Sequence, residues 1–531
     1  MHNNNPNATD RFRSSPKGVA ATERGEVDDH PASRCRPNVS RRTFLKRAGL
    51  AALGTASWLT SGCGTSMQPK TALSGKKPNF VFFLIDDLGR QDLGCFGSTF
   101  YETPNLDRLA REGVRFTDAY AACCVCSPTR ASIMTGKYPA RLRLTNFIAG
   151  RRTGKLTPAD FRLYMPLEEV TVAEALKDAG YTTGFFGKWH MGGSPYLPEA
   201  QGFDVNVAGD HHGAPPSYFS PYGNDKNRLN LPPGPEGEYI TDRLTDEAVR
   251  FINTSRDKPF LAYVSHYAVH VPLQAKEDLT ARYTAKSRKL AYEDAARFAP
   301  EHDRLARQVQ DHAVYAAMIH SMDESVGRIM ETLRQLDLER DTVVMFMSDN
   351  GGLSTAEGSP TSNVPLRAGK GWLYEGGIRE PLIIKWPGVA KRGSKCSTPV
   401  TSTDFYPTML EMAGQPPRPD QHCDGVSLVP LLRGAKSLRR QAIYWHYPHY
   451  SNQGGRPSGA VRAGDFKLIE NYEDASVELY NLREDIGEKT NLAHKLPDVT
   501  KRLQEMLHRW LKETDAVMPT PNPDSNPAAS K

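Results

Sequence analysis

The run Phe80-Val81-Phe82-Phe83-Leu84-Ile85-Asp86-Asp87 sets the fold class, because an unbroken apolar stretch ends abruptly at two carboxylates. A strand with one face in water alternates apolar and polar side chains. An uninterrupted apolar run instead suits a strand covered on both faces, as in a parallel sheet between helices. The same layout recurs at Thr182 to Phe186 before Gly187-Lys188-Trp189-His190, and at Phe260 to Val264 before Ser265-His266. It recurs again at Thr342 to Met347 before Ser348-Asp349-Asn350-Gly351-Gly352. Ligands of such sheets sit beyond the carboxyl ends of the strands, so the polar residues that close each run are the candidate site.

Between and after these runs the pattern is helical. From Asp311 to Leu338, Val314, Met318, Met322, Val326, Ile329, Leu333 and Leu336 recur at steps of three and four. Pro416-Pro417-Arg418-Pro419 marks a boundary. Beyond it come strand-like runs at Ala442 to Trp445, Phe466 to Ile469 and Glu478 to Leu482, then a helix around Leu503, Leu507, Trp510 and Leu511. The reading is an α/β chain: a large, mostly parallel sheet sandwiched by helices over 77–415, and a smaller α+β domain with an antiparallel sheet over 416–517. The Pro/Asn/Ser-rich tail at 518–531 is expected to be disordered.

Cys126-Ser127-Pro128-Thr129-Arg130 carries the chemistry. Proline suits the start of a helix, where its missing N–H would be unpaired anyway. Cys126 is therefore expected at a helix N-terminus, whose free N–H groups and partial positive charge favour an anion, with Arg130 one turn on as a fixed cation. Asp86, Asp87, Asp349 and Asn350 offer only oxygen donors, which favour Ca²⁺ or Mg²⁺ over zinc. Lys188 and His190, read as part of a strand, would point to the same side.

Cys-x-Pro-x-Arg followed by Thr135-Gly136-Lys137 resembles the signature of the type I sulfatases, in the alkaline-phosphatase superfamily. Gly187-Lys188-Trp189-His190-Met191-Gly192, the segment Lys370 to Gly377, Gly464 to Leu468, and Leu479-Tyr480-Asn481-Leu482 resemble further segments of that family. The resemblance implies that a formylglycine-generating enzyme oxidises Cys126 to Cα-formylglycine. It implies one Ca²⁺ held by Asp86, Asp87, Asp349 and Asn350 together with the modified Cys126. Arg130, Lys188 and Lys370 would hold the sulfate, His270 with Lys370 would protonate the leaving oxygen, and His190 would deprotonate the second hydroxyl of the hydrated aldehyde. The expected activity is hydrolysis of sulfate monoesters on a sulfated polysaccharide or oligosaccharide, since the chain is similar to arylsulfatases and N-acetylgalactosamine-sulfatases. The alternatives are a phosphonate or phosphodiester hydrolase of the same superfamily and a non-catalytic protein that binds sulfated glycans.

Ten Lys and Arg against five Asp and Glu fall in residues 1–62, which accounts for most of the formal charge of +6. No basic surface remains to suggest nucleic acid. Ser40-Arg41-Arg42-Thr43-Phe44-Leu45-Lys46, with the apolar stretch after it, resembles a twin-arginine export signal over 1–62. Leu59-Thr60-Ser61-Gly62-Cys63 resembles a lipobox, although Leu59 is one place further from the cysteine than the usual pattern has it. Cys63 would then be a lipidated N-terminus, 63–76 a tether, and the protein exported by the twin-arginine translocon to the periplasm or cell surface.

The remaining cysteines show no metal-type spacing, and a Cys396–Cys423 disulfide stays open. For substrate choice the candidates are His211, His212, Tyr218, Tyr222, His446, His449, Arg456 and Arg462, residue types that stack on sugar rings or pair with their anionic groups.

Overall fold

The computed structural model describes residues 77–224, 227–290, 292 and 297–525. The export signal, Cys63 and the tether lie outside these residues. The apolar run at 80–85 forms strand β1 (Asn79–Ile85) at the middle of a sheet of nine strands among the described residues. The others are β2 (Val114–Tyr120), β3 (Thr182–Gly187), β4 (Val205–Val207), β5 (Phe260–His266), β6 (Thr342–Ser348), β7 (Arg379–Lys385), β8 (Ser394–Cys396) and β9 (Val400–Thr401). Their order is β8-β2-β7-β6-β1-β5-β3-β4, with β9 beside β2. Only β7 runs antiparallel to its neighbours.

Both faces of β1 are buried, as the unbroken run requires. Val81, Phe83 and Ile85 join Leu244, Phe251 and Ile252 of helix Ile240–Ser255 and Met318, Met322, Val326 and Ile329 of helix Ala313–Gln335. Phe80, Phe82 and Leu84 face the other way, onto helices Cys126–Thr135, Val172–Asp178 and Phe405–Met412. Phe82 stacks on Tyr263 at 4.9 Å and meets Phe405 edge-on at 4.9 Å. A fully buried side chain of this size contributes roughly 1.5–3 kcal/mol through removal from water.

Beyond the large sheet, β10 (Ile443–Tyr447), β11 (Ser458–Ala463), β12 (Phe466–Asn471) and β13 (Val477–Asn481) form an antiparallel meander. One face carries helix Pro497–Glu513 through Leu503, Leu507, Trp510 and Leu511. The other packs Trp445, Ile469 and Tyr480 onto Tyr120, Trp372, Tyr374 and Ile378 of the large unit.

The structure refines several expectations. Leu428, Val429, Leu431 and Leu432 pack in the core of the large sheet, so residues 416–441 adhere to that unit and the antiparallel sheet begins only at Ile443. The start of the expected disordered tail is ordered: Thr520–Pro521 pairs with Leu156–Thr157, and Asn522 Nδ2 donates to Gly154 O at 2.8 Å. Backbone and amide hydrogen bonds hold a segment that has no apolar anchor. Cys396 carries a free thiol, so the Cys396–Cys423 pair is not formed.

Candidate active site

The parallel register brings the acidic residues together. Ile85 is paired with Ser348 on one side and His266 on the other, so the residues that follow Ile85 and Ser348 leave the sheet side by side. Asp349 N donates to Ile85 O at 3.0 Å, and Asp87 N to Asp349 Oδ1 at 3.2 Å. Asp87 holds a positive φ of 61°, backbone strain of the kind that surrounding structure must impose.

Cys126 is the first residue of its helix, after the extended Val125, and is buried. Pro128 stands third in the helix, where its missing N–H is still one of the unpaired four. Gly136 ends the helix at φ 68°, and a Cβ there would collide with His422. This fixes the length of the segment that presents Cys126 and Arg130.

Lys188 and His190 are not in a strand. β3 ends at Gly187, whose φ of 115° turns the chain and whose position leaves no room for a Cβ against Ser265 O. His190 follows with φ 53°. The turn still delivers both side chains to one place: Lys188 Nζ donates to Asp86 Oδ2 at 2.6 Å, and His190 Nδ1 lies 3.3 Å from Cys126 Sγ. His266, by contrast, points into the core, with Nε2 2.8 Å from Ser325 Oγ.

Arg130 is held from three sides. Nε donates to Asp349 Oδ2 at 2.8 Å, and Nη1 to Lys188 O and Ser265 Oγ, each at 2.7 Å. Burial opposes its charge, but Asp349 and Asp86 more than offset that and raise its pKa. Ser265, which closes one of the apolar runs but carried no assigned role in the sequence reading, locks this guanidinium.

Lys370 Nζ donates to Asp87 Oδ2 at 2.8 Å and lies 3.0 Å from His270 Nε2. His270 Nδ1 is 2.8 Å from Val271 O. Burial, with Lys370 next to it, pushes His270 down to about 3. Burial would raise Asp87, but Lys370, His270 and Lys188 hold it well below the usual carboxylate range. Burial lowers His190 far below its ordinary value, helped by Lys188 and Arg130. The site thus holds fixed positive charge around two neutral imidazoles.

The donor set fits a hard cation. Asp86 Oδ1 and Asn350 Oδ1 are buried and accept no hydrogen bond. Burial pushes the Asp86 carboxyl well above the usual range, despite Lys188 beside it. Asp86, Cys126 and Asp349 each bring a ligand-type atom within 4.8 Å of the others. Buried acceptors left open in this way carry a desolvation cost that a divalent ion would remove.

All ten sequence-predicted site residues therefore meet at one centre. The Sulfatase family model matches residues 78–415, a span that holds every one of them. The chain belongs to the sulfatase family.

A second model, "N-sulphoglucosamine sulphohydrolase, C-terminal", matches residues 368–516 of the sulfatase. It is similar to a "Sulfatase" from Formosa agariphila, 33% identical, with 83% of this chain and 90% of that protein covered. It is similar also to human arylsulfatase A, 32% identical over 81% of this chain and 87% of that protein. Mouse N-acetylgalactosamine-6-sulfatase is 33% identical over 73% of this chain and 71% of that protein. The crystal structure of Ps i-CgsB in complex with k-i-k-neocarrahexaose matches with a TM-score of 0.69 and 29% identity, covering 83% of this chain and 94% of that one. The protein is an enzyme, and its fold is that of the alkaline-phosphatase superfamily.

Several substrate candidates are internal. Tyr218 is buried and donates to Tyr267 O at 2.7 Å. Tyr222 donates to Glu238. His446 Nδ1 is 2.8 Å from Tyr472 OH, and His449 Nε2 is 2.8 Å from Thr145 Oγ1. Arg462 reaches Asp118 at 2.8 Å inside the contact between the two sheets. These side chains are buried and their polar atoms bond inside the fold, apart from His449 Nδ1, which is buried without a hydrogen-bond partner, so they do not form an open substrate rim. Arg456 is turned towards Glu473, 3.9 Å away. His211 and His212 stay near the site: Gly213 abuts the His190 ring, and His190 N donates to Asp210 O at 3.0 Å.

Proposed function

We propose that this sulfatase hydrolyses sulfate monoesters on a sulfated saccharide, with Cys126 oxidised to formylglycine and Ca²⁺ bound at the acidic cluster. The observation that carries the reading is the 3.3 Å approach of His190 Nδ1 to Cys126 Sγ at a centre of fixed cations. In this structure the cysteine sulfur stands where the nucleophilic oxygen would be. Formylglycine would supply a hydrated aldehyde there, and a Ca²⁺ held by Asp86, Asp87, Asp349 and Asn350 would neutralise sulfate charge. The likeness to arylsulfatase A and to a protein solved with neocarrahexaose supports a sulfate ester on a sugar.

The chain's own residues would do the rest. Arg130 and Lys188, anchored by Asp349 and Asp86, offer positive charge that needs no reorganisation when charge builds on sulfate oxygens. Lys370 and His270, 3.0 Å apart, hold a proton where the alkoxide departs. His190, neutral in its buried setting, is placed to take a proton from the group at position 126. An unmodified thiol has no second hydroxyl for His190 to deprotonate, so it could not release sulfate in that way.

Residues 1–62 support export through the twin-arginine translocon, and Leu59 to Cys63 supports a lipid anchor at the periplasmic or cell surface. Cell fractionation of wild type and of a Cys63→Ser variant tests both.

The deciding experiment is the mass of the peptide that carries Cys126, from protein made alongside a formylglycine-generating enzyme. A loss of about 18 Da together with sulfate release from 4-nitrophenyl sulfate is expected. An unchanged cysteine without sulfate release overturns the reading. Faster turnover of an aryl phosphonate than of the aryl sulfate would move the assignment to phosphorus chemistry.

A further inference from the structure

Two loops reach the catalytic centre and leave a cleft between their outer parts. Loop 145–154 is pinned next to the nucleophile position, where Ile148 N donates to Ser127 Oγ at 3.2 Å. Loop 448–455 is pinned next to Lys370: Gly371 leaves no room for a Cβ against Ser451 Oγ, and Gly371 N in turn donates to Cys124 O at 2.8 Å. Between them lies a cleft of about 150 Å³ lined by Phe147, Gly150, Arg151, Arg152, Tyr450 and Asn452.

The lining is chemically unfinished. Arg151 and Arg152 are exposed, and neither meets a carboxylate among the described residues. Other basic residues of the two loops and their surroundings are matched: Arg143 to Asp515 at 2.6 Å, and both Lys155 and Arg456 to Glu473, at 4.0 and 3.9 Å. Asn452 Nδ2 is bound to Glu357, while Asn452 Oδ1 is buried with no hydrogen-bond partner. Tyr450 is held rigidly, its hydroxyl donating to Glu473 Oε1 at 2.5 Å and accepting from Leu156 N at 3.0 Å. Two guanidinium groups without a carboxylate partner, that of Arg151 lying 6.0 Å over the Phe161 ring, an open acceptor and a fixed aromatic ring make a complement to a sugar ring that bears a negative group.

We propose that this cleft is a second anion subsite, binding a sulfate or carboxylate on the sugar adjacent to the one whose ester is cleaved. The substrate is then a polyanionic saccharide, and Arg151 and Arg152 select it. The proposal rests on the sulfatase reading and deepens it.

The test uses the full-chain enzyme and its Arg151→Gln/Arg152→Gln variant. Turnover of 4-nitrophenyl sulfate is measured against inhibition by dextran sulfate oligosaccharides, oligogalacturonate and inorganic sulfate. In the variant, inhibition by an oligosaccharide should weaken roughly tenfold and depend less on salt. Turnover of the aryl sulfate and inhibition by inorganic sulfate should stay the same, since both use the inner centre alone. Weakening with dextran sulfate only assigns the subsite to sulfate, and weakening with oligogalacturonate assigns it to carboxylate. Unchanged inhibition by both overturns the proposal, as does a parallel loss of aryl sulfate turnover and inorganic sulfate inhibition. If wild type releases no sulfate at all, the sulfatase reading fails. Calorimetric binding of dextran sulfate to the two proteins then still decides the subsite, equal affinities overturning it.

Discussion

Lys467 of the antiparallel sheet and Glu375 of the large unit form a fully buried ion pair, Nζ to Oε1 3.0 Å. The same ammonium donates to Glu488 Oε1 at 2.9 Å, and Glu375 also reaches Arg379 at 3.1 Å. The turn that begins at Lys370 is thus anchored from behind by charges that no solvent reaches.

Removing the cation should leave Glu488 without its cationic partner and Glu375 with Arg379 alone. Lys467→Met is expected to cost about 3–5 kcal/mol, because an unpaired buried charge is far more expensive than the absence of the whole pair. Denaturant unfolding checks this. Adding Glu375→Gln and Glu488→Gln to that variant should recover part of the loss, and a fully additive loss would contradict the pairing.

Stability should fall with rising pH in a window set in part by Glu488. Burial, opposed by Lys467 and reinforced by Glu375, raises its carboxyl from 4.5 to about 7. The folded state therefore favours the neutral acid. That contribution is complete below 4.5 and is lost as pH climbs through about 7. Glu488→Gln should flatten the decline in melting temperature across this interval, and an unchanged profile would reject the assignment.

Calcium should stabilise the fold even without turnover. At a hundredfold excess over its dissociation constant, a bound ion adds about 2.7 kcal/mol. Melting in Ca²⁺ against melting in chelator should reveal the gain, and Asn350→Ala, which deletes an open acceptor, should shrink it. Equal melting in both buffers would argue against an ion at the acidic cluster.

His270→Ala should discriminate between leaving groups. An alkyl sulfate needs a proton on its departing oxygen, whereas nitrophenolate leaves without one. The expected loss in kcat is roughly a hundredfold or more on the alkyl ester and much less on 4-nitrophenyl sulfate. Equal losses would remove the acid role.

The sheet was legible because strands buried on both faces need apolar residues at every position, and β1, β3, β5 and β6 supply them. The acidic cluster was legible because it lies where those runs stop. β11 escaped notice: Ser458-Gly459-Ala460-Val461-Arg462-Ala463 has little of the β-branched and aromatic character that marks a strand, and its neighbours decide its state. Lys188 and His190 read as strand residues because nothing local announces that Gly187 breaks the run. Tyr218, His449 and Arg462 read as candidates for sugar contact, since the same amphipathic side chains suit a substrate-facing rim or an internal hydrogen bond equally well. Arg151-Arg152, set in a loop between Gly150 and Gly154, offered only a short basic run with no pattern around it.

The centre is assembled from segments that lie far apart in the chain: Asp87 and Lys370, 283 positions distant, touch. The cleft of Arg151 and Tyr450, in contrast, is made by two loops that contribute none of the ten centre residues. Selection can therefore redraw the rim while the centre stays fixed, as a lock can be rekeyed without replacing its bolt.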